Sequence, residues 1–295
     1  MKLLSCSETP CCSLHCYNSE SWYNLDRKDI EKLESTDENL IRKIFSAHSK
    51  TPKELLYLES GCIPIRFILI SRRLNFLWYM LNQNDDTMLL EFLRAQCENP
   101  VKGDWVLTVQ KDLDELEIIE SFDDIRETTK DAFKKYVKTK VKEKAFQYLK
   151  DLQNSHSKSQ NIQYKEVKLQ EYLKPASSMT IKEKSFIFMA RSRMLDVKCN
   201  FKIGKSDLLC RKCGIENESQ KHILSCKALQ DNSLINSDYS PSYEDIFGSN
   251  IDKIELIGQI LMEKFKHLTS DNPLCTVNLN NVTGAAIVAQ TMDMD

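Results

Sequence analysis

Glycine is scarce in this chain, with 7 in 295 residues, and proline is as rare, also 7. Globular proteins average roughly 7% glycine, and turn-rich β architectures draw on it for positive φ, so the shortage argues against a sandwich or barrel. Several catalytic signatures are also missing. There is no glycine-rich phosphate loop, no Gly-x-Ser-x-Gly elbow and no His-Glu-x-x-His pair. No long apolar run is free of charge. The most apolar stretch, 62–81, contains Arg66, Arg72 and Arg73, which argues strongly against a membrane span. Met1-Lys2-Leu3-Leu4 is too short an apolar run for a signal peptide. The net charge of −2 gives no global attraction to nucleic acid.

What remains is a helical pattern. Hydrophobic residues make up 41% and charged residues 28% of the chain, a globular balance. From Asp26, the residues Ile30, Leu33, Leu40, Ile41, Ile44 and Phe45 recur at spacings near 3.6. Thr51-Pro52-Lys53-Glu54 reads as a capped start, with Thr51 as N-cap, and Gly61 as the matching stop. Further helices are expected over 65–83 and 87–97, after Asp104, over 130–150, from the Thr180 capping box to Met194, and over 252–268. Residues 243–247 read as a short helix. The expected fold is mainly α, a helical bundle-like region with a small C-terminal zinc-knuckle module. Its divisions are a disordered leader 1–16, a helical region 17–150, a polar linker 151–163, a basic helix plus knuckle 164–230, a helical segment 231–268 and a loose tail 269–295.

The knuckle rests on Cys210, Cys213, His222 and Cys226. A Cys-x2-Cys turn aims two sulfurs at one point, and Gly214 can take the positive φ that follows. His222 and Cys226 are four apart and share one face of a helix. Asn217 or Ser219 can cap that helix. Three thiolates and one imidazole satisfy tetrahedral zinc and leave no open position, so the metal is structural. The total of 11 cysteines is odd. Those outside the set read as reduced thiols of an intracellular protein, cytoplasmic or nuclear. Cys6, Cys11, Cys12, His15 and Cys16 crowd together without a period. Adjacent Cys11 and Cys12 chelate poorly, which favours the leader over a second metal site.

Charge is unevenly placed. Residues 130–150 hold eight lysines against Asp131 and Glu143, and residues 181–230 hold eleven Lys and Arg against five acids. Phe133, Val137, Val141 and Tyr148 line one face of the first stretch. Two readings stand: a solvated lysine face beside a core stripe, or a surface for phosphate backbone. The arginines of 65–83 divide likewise between pairing with acids and contacting phosphate.

Tyr17-Asn18-Ser19-Glu20-Ser21-Trp22-Tyr23-Asn24-Leu25 resembles the segment that follows the palm in non-LTR (LINE-type) retrotransposon reverse transcriptases. Thr51-Pro52 through Leu58-Glu59, Ile63-Pro64-Ile65-Arg66, Arg72-Arg73-Leu74, and Asn99-Pro100 with Asp104-Trp105 look like the helical region downstream. Arg191-Ser192-Arg193-Met194 and Asn200-Phe201-Lys202, ahead of the Cys-Cys-His-Cys set, continue the likeness, which covers about residues 17–267. The resemblance implies a fragment that binds RNA or single-stranded or target DNA with weak sequence preference. Its expected contacts are Lys134, Lys135, Lys138, Arg191, Arg193, Arg211, Lys212, Lys221 and Lys227. It also allows association with a palm-containing reverse transcriptase chain. The palm's chemistry does not carry over. Asp85-Asp86 and Asp123-Asp124 lack the flanking apolar strands of a two-metal site. The chain is therefore expected not to be an enzyme. The alternative is a zinc-stabilised helical module that binds protein and not nucleic acid.

Overall fold

The computed structural model describes residues 16–156, 162–201, 207–229 and 242–269. Among them are eleven α-helices and no β-strand: α1 Arg27–Ile44, α2 Lys53–Ser60, α3 Ile65–Leu81, α4 Met88–Glu98, α5 Trp105–Glu115, α6 Phe122–Glu127, α7 Lys130–Ser155, α8 Ile181–Arg191, α9 Lys198–Phe201, α10 Gln220–Ser225 and α11 Ile251–Thr269. The expected mainly helical class is what the structure shows. No described helix is long and apolar enough to cross a membrane. The caps explain most starts. Asp26 accepts from Asp29 N, Ser121 and Asp124 form a capping box, and Thr180 and Glu183 form another. Thr51 does not cap. The cap position falls to Pro52, which makes no side-chain bond, and Glu54 instead lies 2.9 Å from His156 Nδ1. Asp104 accepts from Val101 N, outside the helix it precedes.

α3 is the centre of the first core. Its Phe67, Leu74 and Leu77 meet Trp105, Val106 and Val109 of α5, Ile125 of α6 and Phe133, Val137 and Val141 of α7. Each such buried side chain contributes on the order of 2 kcal/mol. The arginines of α3 follow the ion-pair reading. Arg73 makes a bidentate pair with Asp112 at 2.6 and 2.8 Å, and both side chains are buried. Burial raises the Asp112 carboxyl, and the Arg73 guanidinium pulls it back. Arg66 pairs with Glu34 and sits over the Tyr148 ring, and Arg72 donates to the Cys16 carbonyl. Cys16, expected in the leader, is buried against Ile65 and Leu69. The rest of that leader lies outside the described residues, as does the expected tail beyond Thr269.

The second core crosses the expected boundaries. Ile41, Phe45, Leu55, Leu56 and Leu58 pack with Leu149, Tyr172, Ile187, Phe188 and Ile254, so 17–150 and 164–230 share one core. The expected linker 151–163 is also corrected: α7 runs to Ser155, and its buried Gln153 donates to Ile162 O at 2.7 Å. Only 157–161 of that segment lies outside the described residues. Gly61 has φ 70°, and a Cβ there would stand 2.1 Å from Leu169 N. That close approach lets 162–173 lie along the end of α2, where Gln170 N donates to Glu59 O.

α7 belongs to both cores. Its buried residues are Phe133, Val137, Val141, Ala145, Leu149 and Gln153, spaced by four, with Tyr148 half-buried beside them. A helix advances about 100° per residue, so a spacing of four drifts about 40° per step. The stripe begins in the first core and ends in the second. A third core joins α8, α10 and α11 with the short 3-10 turn Tyr243–Phe247.

Candidate metal centre

Residues 207–219 form a tight hairpin-like turn. Glu218 N donates to Leu208 O, Cys210 N to Glu216 O and Gly214 N to Cys210 O, at 2.7 to 2.9 Å. Leu209 and Asn217 form an isolated antiparallel bridge, and Gly214 takes the expected positive φ, 66°. Ser219, not Asn217, caps α10 by accepting from His222 N. The cap aims His222 at the turn, and Cys226 ends the helix four residues on.

The result is one cluster. The donor atoms of Cys210, Cys213, His222 and Cys226 all lie within 4.8 Å of one another, close enough to hold a metal ion. Cys213 Sγ and His222 Nε2 are 3.3 Å apart. A tetrahedron with Zn–S arms of about 2.3 Å and a Zn–N arm of about 2.0 Å has edges of roughly 3.5–3.8 Å, so the set fits that size. Backbone N–H groups of Glu216 and Ile215 point at Cys213 and hold its thiol down at about 6. Burial pushes Cys226 up to about 11, with Cys210 and Cys213 adding to the rise. With the three sulfurs ionised their charges would repel at this distance, and a central dication would offset that repulsion.

Two acids escaped the sequence reading. Glu216 places a carboxylate oxygen 3.1 Å from His222 Nδ1. That contact assigns the proton to Nδ1 and turns a bare Nε2 toward the sulfurs. Glu218, fully buried, accepts from Arg211 N, from the Arg211 guanidinium and from Lys198 N, tying the turn to the 195–199 segment. The signal was present, since both are acids between Cys213 and His222, but spacing does not say which one faces the ring. Replacing Glu216 by Gln should weaken metal binding by about 10- to 100-fold with the fold intact. Competition against a chromogenic chelator measures it, and unchanged affinity would remove Glu216 from the site.

The expected nucleic-acid contacts divide. Arg191 is buried, pairing with Glu59 at 2.8 Å and donating to the Ile246 carbonyl, so it cannot reach a phosphate without opening the core. Arg211 is spent on Glu218 and on the Asp196 carbonyl, which makes it scaffold. Lys221 pairs with Glu244 on the surface. Lys212 and Arg193 are half-buried, and Lys227 is exposed. Lys134, Lys135 and Lys138 are exposed on α7, with no ion pair among the described residues.

Fold and site together define a mainly helical protein with a Cys-Cys-His-Cys centre. The chain has no significant match among family models, curated proteins or solved structures.

Proposed function

We propose that this chain is a nucleic-acid-binding part of a non-LTR retrotransposon reverse transcriptase, from the region downstream of the palm, with structural zinc at the Cys-Cys-His-Cys centre. The carrying observation is the exposed lysine face of α7, whose Lys134, Lys135 and Lys138 have no ion-pair partner among the described residues. Ammonium groups left free in this way are available to displace counterions from phosphate. The donor set supports zinc, since soft thiolates with one imidazole at tetrahedral spacing are its usual structural ligands. A role without polymerase chemistry is supported by how the paired aspartates are used. Asp124 closes the Ser121 capping box, and Asp85 pairs with Arg94 and Arg126.

Fluorescence anisotropy across a salt series is the test. Binding to RNA or single-stranded DNA should be about micromolar or weaker near physiological salt, by analogy with non-specific duplex binding. Replacing Lys134, Lys135 and Lys138 by alanine should make the log-affinity slope shallower by about 2, at about 0.7 per lost contact. A second reading has its own observation. Ile215 at the knuckle's tip is 79% exposed and Leu209 beside it 45%, apolar surface suited to a protein partner. No nucleic-acid binding even at low salt would transfer the conclusion to that reading.

A further inference from the structure

Away from the metal centre, an open groove of about 360 Å³ lies between α3 and the first turns of α7. Arg72, Phe76, Trp78 and Tyr79 line it from α3, and Lys130 and Lys134 from α7. Its size is at the small end of ligand sites, roughly 300–1,000 Å³. Glu20 also lines it, and that acid with the Cys16 carbonyl occupies Arg72. Among the described residues, the free cations of the groove are therefore the two lysines.

The aromatic wall is ordered from the core outward. Trp105 meets Phe76 edge-on at 5.8 Å, and Phe76 stacks on Tyr79 at 6.0 Å with planes 17° apart. Trp105 Nε1 donates to Glu20 O and Trp78 Nε1 to Thr128 O, both at 3.0 Å, which fixes both indoles. The outermost ring, Tyr79, is 49% exposed. A ring already held in place loses little freedom when a ligand stacks on it.

The lysines continue beyond the groove. Lys130, Lys134, Lys138 and Lys142 follow one another at intervals of four, all exposed and without an ion pair among the described residues. Each step rises about 6 Å along the helix. Two other lysines of α7 are occupied, Lys140 over the Tyr136 ring and Lys144 in a pair with Glu117, while Lys135 is exposed beside the row. Resting on the nucleic-acid reading above, we infer that this groove takes an unpaired base of a single strand onto Tyr79, while the lysine row follows the strand's phosphates. In a duplex every base face but those of the two terminal pairs is already stacked, so a single strand offers Tyr79 far more faces than a duplex of the same length.

The test uses the whole chain and three labelled probes, oligouridylate, oligothymidylate and a blunt duplex, in fluorescence anisotropy. Tyr79→Ala should weaken both single strands by about tenfold, the scale of one stacked base, and leave duplex binding unchanged. Tyr79→Phe keeps the ring and should keep the affinity. Lys130→Ala with Lys134→Ala should weaken strands and duplex alike, since phosphate contacts do not read base pairing. An unchanged melting temperature for Tyr79→Ala separates a binding loss from unfolding. Single-strand affinity of Tyr79→Ala equal to that of the unaltered chain overturns the groove, and the broader reading then stands or falls on the lysine variants. Failure of the unaltered chain to bind any probe at low salt is instead the failure of that broader reading.

Discussion

Stripping the zinc proposed for the Cys-Cys-His-Cys centre with a strong chelator should abolish hydrogen-exchange protection over 207–229 while α3 and the first half of α7 stay protected. Structural zinc in small modules is worth about 10–16 kcal/mol near neutral pH, comparable with the whole stability of an ordinary domain. Besides the metal, the turn is held by the Glu218 network with Arg211 and Lys198. Its backbone bonds are few, and of the ligands Cys210 and Cys226 are themselves part of the third core, beside Ile223 and Leu229. Losing the metal should therefore also loosen α10 against α11. The first core contains no residue of 207–229, so it should not respond. Elemental analysis should find about one zinc per chain. A metal-free protein with an unchanged exchange pattern would defeat the idea that the ion folds this module.

The second large effect lies far from the metal. Glu59 accepts from the hydroxyls of Tyr164 and Tyr172 and from Arg191 Nε, and the side chains of Glu59 and Arg191 are each only 2% exposed. Arg191 also lies over the Tyr172 ring. Burial by itself would lower the Arg191 guanidinium, but the Glu59 carboxylate more than offsets it and the net direction is up. Both tyrosines are held well above their usual value, first by burial and then by Glu59. Glu59→Gln should cost about 3–5 kcal/mol in urea unfolding, because it leaves a buried cation without its anion. Glu59→Leu combined with Arg191→Met should recover much of that loss, since no buried charge is then left alone. Additive costs in the double variant would show that the two do not act as a pair.

Arg191 also shows where sequence reading stops. In the chain it stands in a basic stretch, and nothing nearby marks it as buried. Its partner is 132 positions away. Features that close within a few residues were legible: the helix that opens at Asp26, the Thr180 cap, the Gly61 stop, the Gly214 turn and the grouping of the four Cys and His side chains. Those set by packing between distant elements were not. Thr51 matched the local rule for a cap, yet the cap position falls to Pro52 and Glu54 turns to His156, 102 positions away. The linker was read from polar composition, but Gln153 turns inward to Ile162 and becomes core. Tyr79 sits in the apolar run 76–81 at the end of α3, and only the arrangement around it shows that its ring faces out.

The four-residue stripe of α7 constrains how this chain can change over generations. Phe133 anchors one end of the helix in the first core, and Leu149 anchors the other in the second, about 160° further round the helix. One inserted or deleted residue between them would turn one end against the other by about 100° and shift it by about 1.5 Å. Whichever core kept its hold, the other would be offered the neighbours of its present residues, Lys140 or Lys142 in place of Val141 and Lys144 or Phe146 in place of Ala145. Substitutions along the exposed side are tolerable singly. Changes of length there are not, so the spacing from Phe133 to Leu149 should drift far less than the residues that fill it.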